Sequence, residues 1–220
     1  MKKNYLICFV GIDGSGKTTI AKEINKMFTN SGKDSTYVYG RVIPIFSRFF
    51  MWLGRIFILK KGKNAIFDDY ENYSTQKKQV FNGSILSKFY EWVILFDHLV
   101  QIFFKIKLPL MYGKNVVCDR YIFDTVITDI SINLGYTSNE SINLIRKTLR
   151  FVPNPDFLFY INVGEETAFS RKDDVPHINY LIERKKLYDV LENSFKVFKL
   201  DGSKSIEEIS QEAYKIISGG

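Results

Sequence analysis

The stretch Gly11-Ile12-Asp13-Gly14-Ser15-Gly16-Lys17-Thr18 constrains this chain more than any other. It fits G-x-x-x-x-G-K-[ST] and lies between an apolar run, Tyr5–Val10, and the helical pattern Ile20, Ile24, Met27, Phe28. Strand, glycine loop and helix in that order form a phosphate cradle. Gly11, Gly14 and Gly16 let the backbone turn tightly enough for successive N–H groups to point inward, and a helix starting near Lys17 adds its positive end. Lys17 is expected on the β- and γ-phosphates of ATP and the Thr18 hydroxyl on Mg²⁺, with Asp13, Ser15 and Thr19 completing the ATP-binding set.

At 220 residues and 45% apolar content, the chain suits one domain, 1–220, with an ample core. A formal charge of +7 suits an anionic small-molecule substrate such as a nucleotide. The lysines fall in short pairs such as Lys60-Lys61, Lys77-Lys78 and Lys185-Lys186, the pattern of a solvated face, so no nucleic-acid partner is expected. Cys8 and Cys118 sit inside apolar runs and read as free core thiols of a reducing compartment. Met1-Lys2-Lys3-Asn4 leads directly into the strand that carries the cradle, so no cleavable leader is expected. Two greasy stretches, Val42–Leu59 and Phe89–Tyr112, are interrupted by Arg48 and Arg55 and by Glu91, Asp97, His98, Lys105 and Lys107, too often to cross a bilayer. A cytoplasmic protein with no membrane partner is expected.

Along the chain, Ser35–Tyr39 reads as a second strand ending near Gly40-Arg41. Ligands gather at the carboxyl ends of strands in an open α/β sheet, which places Arg41 at the rim of the site. The aromatic, basic segment Pro44–Leu59 is open to three readings: packing, a cap over the acceptor, or a subunit contact in a homodimer. Residues 62–83 read as a polar loop entering a helix. Ile85, Phe89, Trp92, Val93, Phe96, Leu99, Val100 and Phe103 recur at three and four, predicting one long helix with that face on the core and Pro109 and Gly113 ending it. Val116–Asp119 is a buried strand. A helix to about Leu134 follows, then another from Ser138 or Asn139, then a strand, Asp156–Ile161. Helix, polar interruption and helix from Glu165 to Phe195 have the form of a mobile lid, at roughly 165–180. Phe195–Leu200 is a last strand, and Ser205-x-x-Glu208 caps a last helix. The whole predicts an α/β, three-layer phosphate-loop fold: a parallel five-stranded sheet with helices on both faces and a helical lid.

A phosphate loop alone serves kinases, ATPases and GTP switches. Asn25-Lys26 is followed by Met27-Phe28 and Asp119 by Arg120-Tyr121, so the base-reading and metal-strand motifs of a GTP switch are missing. Asp119 at a strand end is placed for the Mg²⁺ shell, and Arg120 for phosphate. Phosphoryl transfer needs cations converging on one point, and Lys17, Arg41, Arg120 and Arg171 or Lys172 supply them.

These features resemble the thymidylate kinase family of nucleoside-monophosphate kinases. The likeness runs through the loop with its internal Asp13, Asp119-Arg120-Tyr121, Pro155–Val163, Glu165–Arg171, Glu183-Arg184 with Tyr188, and Leu200-Asp201-Gly202-Ser203. The resemblance implies ATP-dependent conversion of dTMP to dTDP. By it, Asp13 contacts the acceptor sugar, Arg41 and Arg120 its phosphate, and the turn with Gly202 and Ser203 the ATP base. Gly14 stands where some members carry an arginine, so the catalytic cation is expected from the lid, chiefly Arg171.

The departures are specific. Gly40-Arg41-Val42-Ile43-Pro44 replaces Arg-Glu-Pro-Gly-Gly-Thr, and Ile94 and His98 stand at the base-reading Phe and Arg positions. Asp124, Thr128 and Asp129 stand at the Ser and Tyr-Gln positions. His98 then either reads the base, aided by Tyr70, Tyr73 or Trp92, or packs neutral on the long helix. Two further readings stay open. One is a kinase for a hydroxyl acceptor with Asp124 or Asp129 as base, and the other is an ATP-binding module that meets membranes through Phe46–Lys61.

Overall fold

A computed structural model describes residues 4–45, Arg48 and 85–219. Arg48 apart, the stretch Phe46–Lys61, the polar segment 62–83, Tyr70 and Tyr73 lie outside the described residues.

Five strands, β1 (Leu6–Val10), β2 (Ser35–Tyr39), β3 (Asn115–Asp119), β4 (Phe157–Asn162) and β5 (Phe198–Asp201), make one parallel sheet in the order β2-β3-β1-β4-β5. Alternation along each strand divides the core in two. Ile7, Phe9, Val117, Phe159, Ile161 and Leu200 point to one face, with Phe9 stacked on Phe159 at 5.1 Å between ring centroids. That layer is closed by α1 (Lys17–Asn30) and the C-terminal helix Ile206–Gly219. Leu6, Cys8, Val10, Val116, Cys118, Leu158 and Tyr160 point to the other face. It is covered by α2 (Ile85–Ile102), by α3 (from Ile122 to Leu134, π-helical over Thr125–Ser131), by α4 (Ser138–Thr148) and by the helices after β4. Those helices are α5 (Glu165–Ser170), α6 (Ile178–Asp189) and α7 (Leu191–Ser194), and the C-terminal helix is α8. The predicted α/β architecture is the one found.

Local signals hold where their chemistry is local. Ser205 Oγ accepts from the Glu208 N–H while the Glu208 carboxylate accepts from the Ser205 N–H, closing the capping box of α8. Gly135, at φ 70, ends α3. Thr137 caps α4 in the same reciprocal way with Glu140, one residue ahead of the predicted start.

Three expectations are corrected. Pro109 does not end the long helix: a π-helical turn, Phe103–Lys107, widens the spiral, so Pro109 enters at the start of a last α-turn, Leu108–Met111, where its missing N–H costs little. Gly113, at φ 79, ends it. The last strand begins at Phe198, because the Phe195 ring packs edge-on against Phe123 at 5.4 Å. The third correction concerns which face of α2 is buried. Phe89, Trp92, Phe96 and Phe103 are exposed, while Val93, Ile94, Asp97, His98, Gln101 and Ile102 turn inward. The polar side chains of that inner face serve the chain leaving β2. Asp97 accepts from the Ile45 N–H at 2.8 Å, Gln101 bonds both N–H and C=O of Ile43, and His98 Nε2 lies 2.8 Å from the Gly40 carbonyl. These bonds take up the polar backbone groups of a segment that has left the sheet, and the Gly40 carbonyl among them is buried. No helix among the described residues is long and apolar enough to cross a membrane.

Candidate active site

The loop after β1 holds Gly11 at φ 148, Gly14 at φ 83 and Gly16 at φ 87, conformations that only glycine enters without strain. Gly16 is the N-cap of α1, with no side-chain cap and no acid in the first turn, so the positive helix end faces the loop uncompensated. Lys17 is buried; its Nζ donates to the Ile12 carbonyl at 2.7 Å and stands 3.8 Å from Asp13 Oδ1. Burial pulls its ammonium down to about 8, with Arg120 adding repulsion and Asp13 opposing.

Asp119, at the C-terminal end of β3, receives the Thr18 hydroxyl at 2.7 Å and the Tyr37 hydroxyl at 3.0 Å, both on Oδ2. Its Oδ1, and the Ser15 Oγ in the loop, are buried without a hydrogen-bond partner among the described residues. Such oxygens are normally satisfied, and a hydroxyl beside an orphaned carboxylate oxygen is a donor set that suits a hard cation such as Mg²⁺. The glycine cradle suits a phosphate chain, so the residues fit both groups. No group of three or more His, Cys, Asp or Glu that could hold a metal ion stands among the described residues, so a cation here would draw further ligands from phosphate or water.

Arg120 is the one non-glycine residue with positive φ, 69°, among the described residues. This conformation costs about 1–2 kcal/mol and turns the guanidinium back over the loop. Its Nη2 donates to Asp13 in a short ion pair and its Nη1 to Asp124 at 3.2 Å. Burial alone would raise Asp13, but Lys17 and Arg120 outweigh it and hold the carboxyl well below the usual range. Asp124, wholly buried, is pushed upward by burial against the pull of Arg120 and Lys17. From α6 the Tyr188 hydroxyl donates to Asp124 at 2.6 Å, and the Tyr180 hydroxyl reaches Asp13 at 3.4 Å, with Arg184 stacked over the Tyr180 ring at 3.3 Å. Helix α6 is thereby tied to the loop at Asp13 and to the start of α3 at Asp124.

Beside this cluster, Arg41 forks onto Asp129, Nε to Oδ2 at 3.0 Å and Nη2 to Oδ1 at 2.6 Å. Gly40 must be glycine here: a Cβ would run into Cys118 Sγ and the Arg120 carbonyl. Of the residues predicted for the site, the structure brings Asp13, Lys17, Thr18, Asp119, Arg120 and Asp124 together, with Gly11, Gly14, Ser15, Gly16 and Thr19 in or next to the loop. Arg171 is drawn elsewhere, its Nη1 3.0 Å from the Gly202 carbonyl. The turn it reaches is held by Ser203, whose N–H and hydroxyl both donate to Asp201. Ile94 and His98 are inside the core. His98, with burial pulling it down to about 4, is the packed neutral imidazole of the second reading, and Trp92 stacks on Phe96 on the outer face. Sequence reasoning missed Tyr37 and Tyr180; neither carries a local signal, since each reaches its acid across the sheet or from another layer.

Sheet order, phosphate loop and the Thr18–Asp119 pair define the class: an α/β phosphate-loop kinase fold. No protein-family profile matches the chain. Among curated proteins it is similar to a probable thymidylate kinase of Pyrococcus abyssi, 22% identical over 224 residues that cover 98% of this chain and 96% of that protein. It is also similar to thymidylate kinases of Leptospira borgpetersenii and Plasmodium falciparum, each 25% identical over 230 residues, covering 98% and 99% of this chain and 94% and 91% of theirs. Over nearly its whole length the chain is distantly similar to thymidylate kinases.

Proposed function

We propose that this chain, as one domain over residues 1–220, transfers the γ-phosphoryl group of ATP to a nucleoside monophosphate, with dTMP to dTDP the leading reaction. The observation that carries the reading is the orphaned Oδ1 of Asp119 beside the Thr18 hydroxyl, at the mouth of the glycine cradle. Thr18 and Asp119 would hold Mg²⁺, which when bound neutralises charge between the phosphates. Gly11 to Thr19 would hold the phosphate chain, and Gly202 and Ser203 the ATP base. Lys17, released from the Ile12 carbonyl, places its charge on the transferring group; Asp13 stays ionised toward the acceptor sugar, and Arg120, with a buried Nε still unpaired among the described residues, faces the acceptor phosphate. Arg171, from a lid over roughly 165–180, is the cation expected to engage charge that develops during transfer. A homodimer fits the exposed stripe Phe89, Trp92, Phe96 and Phe103, and a cytoplasmic location fits the two free thiols.

One observation favours a second reading, transfer to a hydroxyl. Both arginines meant for an acceptor phosphate already carry acids, Arg41 on Asp129 and Arg120 between Asp13 and Asp124. The test is ATP consumption over a panel of nucleoside monophosphates, nucleosides and sugars. Turnover of dTMP above the others supports the first reading; turnover of hydroxyl acceptors alone supports the second; none on either class removes both.

A further inference from the structure

The charges facing the acceptor are matched within the chain itself. Arg41 presents its Nε and Nη2 edge, the flat fork that suits a phosphate or a carboxylate, and Asp129 occupies both donors. Arg120 is divided between Asp13 and Asp124. A dianionic acceptor approaching this side meets guanidinium charge that is already neutralised, with carboxylates beside it. For phosphate to gain a full fork, one acid must give way.

The three acids are not equally able to do so. Asp124 is wholly buried under the Tyr188 hydroxyl, and Asp13 is held by Arg120, Lys17 and Tyr180. Among the described residues Asp129 has one cationic partner, Arg41, and its side chain is 20% exposed. It also lies in the π-helical stretch Thr125–Ser131, a local widening that recurs at functional sites. There its backbone carbonyl accepts from two side chains, the Tyr90 hydroxyl of α2 at 3.0 Å and the Asn133 amide one turn on in α3 at 2.6 Å. The backbone of Asp129 is thus anchored while its carboxylate keeps access to solvent.

We propose that Asp129 is a specificity-determining residue that sets the charge of acceptor this site admits, by holding Arg41 in its fork and penalising a phosphate-bearing acceptor relative to the same molecule without its phosphate. The inference rests on the phosphoryl-transfer reading for its substrates but not on which acceptor is the natural one. In this arrangement Asp129 competes with the acceptor phosphate for Arg41; a residue that merely aimed Arg41 would assist phosphate binding instead.

The experiment compares kcat/KM for dTMP and thymidine, a pair with the same base and sugar, in wild type, Asp129→Asn and Asp129→Glu, each also with Arg41→Ala. Asp129→Asn is expected to raise the dTMP-to-thymidine ratio by about tenfold or more, ~1.4 kcal/mol, through KM for dTMP rather than kcat. Asp129→Glu should keep the wild-type preference, and Arg41→Ala should abolish the gain. A ratio unchanged or lowered by Asp129→Asn, or a gain that survives Arg41→Ala, overturns the proposal. If no variant turns over either substrate, the phosphoryl-transfer reading fails by itself, and the Arg41 Nε–H resonance, assigned by its loss in Arg41→Ala, is titrated with inorganic phosphate. Response at about tenfold lower phosphate in Asp129→Asn upholds the competition, and the same midpoint in both proteins refutes it.

Discussion

Gly14 of the phosphate loop and Ala168 of α5 touch backbone to backbone: a Cβ on Gly14 would run into the Ala168 carbonyl, 2.8 Å from its carbon. The contact leaves this loop no room for an arginine at that position. Gly14→Ala is expected to push α5 away and to force a side chain into φ 83, costing about 1–2 kcal/mol of stability. Thermal melts should fall by several degrees and the KM for ATP should rise. An unchanged melt would show that loop and helix part freely.

Lys17 carries a pH prediction. Its ammonium is drawn down to about 8, and the protonated form, which is needed to hold phosphate, dominates below that value. The kcat/KM for ATP reports the free enzyme, so it should be level below pH 8 and fall about tenfold per unit above it. Bound phosphate stabilises the charge, so kcat should hold to higher pH. Lys17→Ala should abolish transfer at every pH and, because it strips the Ile12 carbonyl and Asp13 of a buried partner, lower the melt as well. A limb near pH 10 would mean that Lys17 is not desolvated as the geometry requires.

Asp119→Asn keeps the shape but removes a negative charge beside the Thr18 hydroxyl. The Mg²⁺ concentration for half-maximal activity should rise at least tenfold, and Thr18→Val should raise it in the same direction while Thr18→Ser does not. Indifference of the Mg²⁺ titration to Asp119→Asn would return that residue to a purely structural part with Tyr37.

Arg171→Ala should lower kcat more than it raises the KM for ATP, since a lid cation acts on charge that develops during transfer. Because Arg171 Nη1 rests on the Gly202 carbonyl, the alternative outcome is informative. A change confined to KM would make it a brace for the Gly202 turn, and Lys172→Ala would then be the variant that loses kcat.

His98 makes stability depend on pH in a known direction. Its folded value is drawn from 6.5 to about 4 by burial, so between these values the unfolded chain binds more protons than the folded one. The stabilisation is present in full above about 6.5 and is lost as pH falls toward 4, on the order of 3 kcal/mol across the window. His98→Gln should flatten that part of the urea-stability profile. A slope unaltered by the substitution would show that the ring is not held neutral against Gly40.

The sequence by itself determined what depends on near neighbours. The glycine loop, the capping box at Ser205 and the stop at Gly135 follow from dihedral preferences and hydrogen bonds that close within a few residues, and the five strands were legible as apolar runs although their hydrogen bonds close across the sheet. Tertiary structure decided the rest, because burial and charge are settled by partners far along the chain. The apolar stripe of α2 predicted the wrong buried face: the inner face had to supply Asp97, His98 and Gln101 to backbone groups more than 50 residues upstream. Arg41 and Arg120 were legible as cations, but the distant acids that pair with them, Asp129 and Asp13, were not legible as their partners. Asp129 is 88 residues from Arg41 and Asp13 is 107 from Arg120, distances at which no pattern in the chain says which charge will find which.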